Sequence, residues 1–138
     1  MNFYLYFNCV KEIVKSLKEL NEVSEHAWFF VNSSYRILAF NKTAFNNSKL
    51  LHDQELGIGD SILDYARDTT NKIDQDFITC LGRACEGQTV KQEKRIEYNS
   101  SSLNTISTYT PIYNLTKLVG VSITVQVIDL NMTDHQAK

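Results

Sequence analysis

The 138-residue sequence has a single proline, Pro111, and five glycines, too few for a collagen-like chain, a linker or a low-complexity segment. Its three cysteines, Cys9, Cys80 and Cys85, form no CxxC pair. That excludes a zinc ribbon and a disulfide framework, and points to a reducing, cytoplasmic setting. No charge of one sign dominates: 14 basic against 16 acidic residues give a formal net charge of -2, without the basic surface of a nucleic-acid binder. Long apolar runs are missing as well. Phe3 to Phe7 and Ala27 to Val31 are short, against the roughly 20 residues of a bilayer-crossing helix, so no membrane insertion is expected. No basic residue precedes Phe3 and Asn8 ends the first run, which argues against a secretory leader.

What is present suffices for one domain with a proper core: 43% hydrophobic residues, including seven Phe, seven Tyr and one Trp. From Phe3 to Leu20 apolar residues recur three and four apart, at Phe3, Tyr6, Val10, Ile13, Leu17 and Leu20, with Phe7 and Val14 widening the stripe. This spacing predicts an amphipathic helix that ends where the pattern is lost, over Asn21 to Glu25. Ala27 to Asn32 and Tyr35 to Phe40 read as a β-hairpin around Asn32-Ser33-Ser34. Asn41 is the expected N-cap of a short helix through Ala44 and Phe45 toward Leu51. Asp60 is expected to cap one further turn carrying Ile62, Leu63 and Tyr65.

A longer helix is expected from Thr70 to Glu86, with Ile73, Phe77, Cys80, Leu81 and Ala84 inward and Gly87 as its stop. Beyond Gly87 the period changes from 3.6 to 2. Val90, Gln92, Lys94, Ile96 and Tyr98 share one strand face, and a turn at Asn99 to Ser102 leads into a strand from Leu103 to Tyr113. In the last strand Val119, Val121, Ile123, Val125 and Val127 point one way and Gly120, Ser122, Thr124 and Gln126 the other. The sum is an α+β domain with a five-stranded antiparallel sheet.

Few residues suggest chemistry. Cys80 and Cys85 lie about 140° apart on the helix and cannot pair, so both read as buried thiols. His26, His52 and His135 have no partner His at i+4, and no metal site is expected. His52, with Asp60 or Asp64, offers an acid and a base for a small isomerase or dehydratase in a sheet-lined cup; capping and solvation account for the same residues. Gly57-Ile58-Gly59 reads as a turn rather than a phosphate loop. Lys91, Lys94 and Arg95, interspersed with Glu93 and Glu97, read as a solvated strand edge.

The order of elements and the residues that punctuate it resemble a PAS domain, the sensory input module of bacterial sensor histidine kinases. Arg36 to Asn41 is similar to the second strand with its terminal Asn, and Gly59 to Tyr65 to the mid-domain segment of kinase-associated members. Ala84 to Gly87 is similar to the end of the long helix, Tyr109 to Ile112 to the fourth strand, and Val119 to Val121 to the start of the fifth. Asp129-Leu130-Asn131 stands where the family often has Asp-Ile-Thr at the signal exit. The turn Asn114 to Lys117 departs from the pattern by lacking Gly, and Asn131 by replacing Thr.

The resemblance implies a PAS-like sheet with helices on one face over 26–131, preceded by the amphipathic helix of 1–25 and followed by a tail, 132–138, toward an effector. It implies a cytoplasmic, non-catalytic signal-transduction module of a two-component system. Such a module binds a small ligand or a partner and passes a conformational change to a kinase or similar effector, as an excised input domain or a short stand-alone sensor. Flavin-binding members use a Cys before the long helix, and Gly57 to Tyr65 has none; haem-binding members use a His on that helix, and Thr70 to Glu86 has none. Neither cofactor is therefore expected, and an unidentified small molecule is the remaining ligand class. The expected pocket lining is Phe45, Ile62, Tyr65, Phe77 and Leu81 from helices, with Tyr109, Ile123 and Val125 from the sheet. The alternatives are the small enzyme using His52 with Asp60 or Asp64, and a purely dimerising structural module.

A homodimer is expected through the first helix. Gly120, Ser122, Thr124 and Gln126 offer little apolar surface to receive the stripe of Phe3, Tyr6, Val10, Ile13, Leu17 and Leu20, which makes a partner helix its expected cover.

Overall fold

A computed structural model describes residues 3–67, 72–98 and 101–130. Helix α1 (Phe3–Asn21) leads into strands β1 (Ala27–Val31) and β2 (Ile37–Phe40), helix α2 (Lys42–His52), a 3-10 turn (Ile62–Tyr65) and helix α3 (Gln75–Cys85). Three long strands follow: β3 (Val90–Tyr98), β4 (Ser101–Asn114) and β5 (Lys117–Leu130). All pairings are antiparallel, in the order β2-β1-β5-β4-β3, so β5 enters between the first hairpin and β4.

The expected hairpin between β1 and β2 turns on Asn32, whose side-chain oxygen accepts from the amides of Ser34 (2.9 Å) and Arg36 (3.0 Å). Asn41 caps α2 as its position in the sequence suggests. The further turn is capped differently from expectation: Ser61, not Asp60, receives the amide of Leu63, leaving the Asp60 carboxylate to accept from the Tyr65 hydroxyl. Helix α3 starts at Gln75 rather than Thr70, because Asp74 takes the N-cap and accepts from the amide of Asp76 at 2.9 Å. Thr70 itself lies outside the described residues.

The inner face of the sheet packs against α2, the 3-10 turn and α3 through Val31, Ile37, Val121 and Ile123, which meet Ala44, Ile62, Leu81 and Ala84. The alternation of β5 holds for Val121, Ile123 and Val125 but breaks at Val119. A bulge pairs Ile112 with Gly120 and Tyr113 with Leu118, and Val119, as the extra residue, packs on the outer face. Another irregularity, at Asn104/Thr105, leaves Val127 beyond the core and 44% exposed. Gly120 is required where it stands: a Cβ there would lie 2.2 Å from the Val31 carbonyl oxygen on the neighbouring strand.

The outer face gives part of α1 a cover that the sequence reading did not foresee. Val10, Ile13, Val14 and Leu17 pack on Trp28, Phe30, Ala39 and Val119 of their own chain, so the middle of the stripe finds cover within the subunit. The receiving surface comes mainly from β1, where Trp28 and Phe30 are fully buried, and not from the polar positions of β5. Ser122 contributes by accepting from the Trp28 indole N–H at 2.8 Å. Leu20 stays 78% exposed, and the side chains of Phe3 and Tyr6 lie outside the described set.

Asn41 joins the two sides of the domain. It is fully buried, its Oδ1 accepts from the amides of Trp28 (3.0 Å) and Ala44 (2.9 Å), and its Nδ2 donates to the carbonyls of Asn21 and His26, both at 2.9 Å. One side chain thus holds together the end of α1, the start of β1 and the N-terminus of α2. Thr43 adds a bond to the Ser24 carbonyl at 2.8 Å, and Lys18 one to the Phe40 carbonyl at 3.1 Å.

Candidate ligand cavity

Between the inner face of the sheet and the helices lies a cavity of about 210 Å³. Its apolar body comes from alternate strand residues, Ala27 and Phe29 of β1, Tyr109 of β4, and Ile123 and Val125 of β5, facing Leu51 of α2, Ile62 and Tyr65 of the 3-10 turn, and Phe77 of α3. Period-2 alternation puts these strand side chains on one face, and the second half of α2, the 3-10 turn and the start of α3 bring the rest over them. Phe77 and Tyr109 meet across it as a tilted ring pair with centroids 5.8 Å apart.

Six of the eight expected lining residues are there: Ile62, Tyr65, Phe77, Tyr109, Ile123 and Val125. Two are not. Leu81 is fully buried in the core behind the cavity, and Phe45, one position off the lining face of α2, stacks on Phe40 at 6.2 Å. Phe77 is only partly buried, because it borders this space instead of filling the core.

Of the polar lining, sequence reasoning placed only His52 in a sheet-lined cup, for the enzyme alternative; it missed Asn47 and Ser48 of α2, Arg67, Asp74, Gln92, Lys94, Thr105 and Ser107. Lys94 stands on the edge strand, but its side chain does not simply face solvent. It alternates inward with Val90 and Gln92 and forms an ion pair with Asp74, tying β3 to the N-terminus of α3, while Lys91 and Arg95 stay exposed. The alternation already read in β3 carried this signal. Asp74 was obscured by placing the helix start too early.

The charged groups of the lining are Lys94, Arg67 and Asp74. Lys94 faces Asp74, and the Arg67 guanidinium lies 3.9 Å from the Asp64 carboxylate. Burial pushes the His52 imidazole below its ordinary pKa, toward the uncharged form. Burial likewise raises the Tyr109 hydroxyl, which donates to Gln92 Oε1 at 3.4 Å. The Tyr65 hydroxyl, 2.8 Å from Asp60 Oδ2 and 2.9 Å from the Glu55 carbonyl, is pushed up to about 12 by burial and then by Asp60. Cys80 and Cys85 are raised by burial too; Cys80 is buried in the core and Cys85 half-buried. Thr105, 2% exposed, donates to the Lys94 carbonyl at 3.2 Å.

Neither Asp60 nor Asp64 lines the cavity beside His52. Among the described residues, no three His, Cys, Asp or Glu are grouped to hold a metal. Asp129 pairs with Asn104 in the sheet, and its proposed exit partner Asn131 lies outside the described residues.

Among solved structures, the PAS domain of BvgS from Bordetella pertussis superimposes with a TM-score of 0.69 at 12% identity, over 91% of this chain and 93% of that one. The fold is that of a PAS domain. A PAS domain from Colwellia psychrerythraea matches at a TM-score of 0.59 and 20% identity, over 84% of this chain and 97% of the other. A phage VqmA–DPO complex matches at 0.66 and 14%, over 92% of this chain but 56% of VqmA. No family model and no curated protein matches the sequence. The PAS fold supplies the α+β sheet and the inner helices expected from the sequence; α1 lies on the opposite face from those helices.

Proposed function

We propose that the chain is a sensory input module, without catalysis of its own, that binds a small molecule between sheet and helices and passes the change to an effector such as a histidine kinase. The observation that carries this reading is the cavity itself, an apolar space with polar side chains on its wall inside a PAS fold. Sensor histidine kinases among the structural neighbours support the class of effector. Neither haem nor flavin is part of this reading. The cavity, about 210 Å³, is smaller than the roughly 300–1,000 Å³ of pockets for drug-sized ligands. A cytoplasmic location is part of the proposal; among the described residues, no helix is long and apolar enough to cross a membrane.

The route proposed for the signal is α2. Its second half lines the cavity, and its first turn is bonded through Asn41 to Asn21 at the end of α1. A homodimer through α1 belongs to the same proposal. Val10, Ile13 and Leu17 already contact their own sheet, so pairing would draw on the exposed Leu20 and Val23 and on what those half-buried residues leave uncovered. The small-enzyme alternative finds no support in the placement of Asp60 and Asp64.

The test is an amide chemical-shift screen of the labelled chain with single-ring fragments that are cationic, anionic and neutral. At least one should move the amides of Phe77, Tyr109 and Val125 and, with them, those of Asn21 and Asn41. A screen in which no fragment of any charge moves the cavity amides refutes the receptor reading.

A further inference from the structure

The size and charge of the cavity narrow the ligand class, on the reading that the cavity is a receptor. A cavity of about 150 Å³ lined by apolar side chains holds benzene. The space here, about 210 Å³, therefore has room for one ring with a few substituent atoms. Its walls offer ring-shaped contact surfaces in Phe29, Phe77 and Tyr109.

Charge discriminates further. Within the lining Lys94 faces the carboxylate of Asp74, while Arg67, exposed at the margin, lies 3.9 Å from the exposed carboxylate of Asp64 outside it. A ligand carboxylate reaching Lys94 would stand beside Asp74, whose other oxygen is committed to the amide of Asp76. Two carboxylates sharing one ammonium in a partly buried site repel each other, and the displaced one keeps its desolvation cost. A ligand cation meets the converse problem, because Asp74 is already neutralised by Lys94, beside which the cation would have to stand. Uncharged polar groups remain for recognition: the Gln92 amide and the Ser107 and Tyr109 hydroxyls on the strands, with Ser48 on α2.

We infer that the cavity takes an uncharged single-ring molecule, its ring against Phe77, Ile123 and Val125 and its hydrogen-bonding edge toward Gln92 and Ser107. The recognition is by shape and neutral hydrogen bonds, with the Lys94–Asp74 pair acting as a filter against anions.

Benzamide and benzoate test this directly, being nearly identical in shape and different in charge. Titrated into the labelled full chain at neutral pH, benzamide should move the amides of Phe77, Ser107 and Val125, and benzoate should bind there at least tenfold more weakly. Asp74→Asn should raise benzoate affinity toward that of benzamide, since it removes the competing carboxylate while keeping an oxygen to cap α3. Ser107→Leu, which fills the space, should abolish the benzamide shifts, with far-UV circular dichroism verifying its fold. Benzoate binding as tightly as benzamide in the unaltered chain overturns the charge class and leaves the receptor reading standing. Neither compound moving the cavity amides while another single-ring neutral fragment does would overturn the edge assigned to Gln92 and Ser107. Silence of every fragment refutes the receptor reading itself.

Discussion

Replacing Asn41 by Ala removes four hydrogen bonds from a side chain with no exposed surface. The amide of Trp28 lies in the buried start of β1, and such a donor left without a partner costs about 1–3 kcal/mol. The amide of Ala44 loses its helix cap, worth about 0.5–2 kcal/mol. The carbonyls of Asn21 and His26 sit on partly exposed residues and regain water, so their loss adds little. Together these give a destabilisation of about 2–4 kcal/mol, a large share of the roughly 5–15 kcal/mol that holds a domain folded. Denaturant titration followed by Trp28 fluorescence and by far-UV circular dichroism measures it.

Asn41→Asp sharpens the argument, because it keeps the acceptor but aims a second oxygen at two carbonyls. Burial and those carbonyls raise the pKa of that carboxyl in the fold above its unfolded value. Its stability is then greatest when protonated at low pH and falls as pH rises from the unfolded pKa through the folded one. The variant should therefore lose stability between acid and neutral pH relative to the parent chain. A loss below about 1 kcal/mol for Asn41→Ala, or an Asp variant that follows the parent at all pH values, would refute the view that this side chain joins α1, β1 and α2.

Four further outcomes follow from the packing. Phe77→Ala should cost about 1–3 kcal/mol, less than the roughly 3–5 of a fully packed Phe, since one side of the ring already borders the cavity; denaturant titration distinguishes the two. Gly120→Ala should cost about 3 kcal/mol or more by driving a methyl into the Val31 carbonyl, and a thermal midpoint equal to that of the parent would contradict the β1–β5 spacing. The folded pKa of His52 is lowered, so its contribution is complete above the unfolded value near 6.5 and is lost as pH falls from there through the folded one; His52→Gln should flatten thermal stability between about pH 7 and pH 5. Leu17→Glu should release α1 and shift Trp28 emission to the red, whereas Leu20→Glu should leave emission unchanged and weaken any dimer seen by light scattering.

Much of this architecture is legible in the sequence where one local rule decides. Asn41 announces a helix start, and Val121, Ile123 and Val125 mark one face of a strand by alternation alone. The failures come where a distant element decides. Val119 changes sides because β4 and β5 slip by one residue at Ile112/Tyr113, and nothing local marks that bulge. The stripe on α1 looks unaccommodated when only β5 is considered, since its cover, Trp28 and Phe30, arrives through the placement of β1 beside β5. For the cavity, the apolar lining could be read from periodicity, whereas the partnership of Lys94 with Asp74 depends on how α3 crosses β3. Leu81 and Phe45 share the composition of a lining residue and differ from one only by rotation about a helix axis.

Strand β1 is a party wall. Ala27 and Phe29 look into the cavity, while Trp28 and Phe30, their immediate neighbours, look out under α1. The two compartments are separated by the thickness of one backbone, and the side chains on either side are spaced by single peptide units. A tilt of the strand that made room for an occupant at Phe29 would turn Trp28 in the opposite sense within the cluster that α1 covers. If the cavity is filled as proposed, indole emission on one side of the domain would gauge that filling on the other, with no label required.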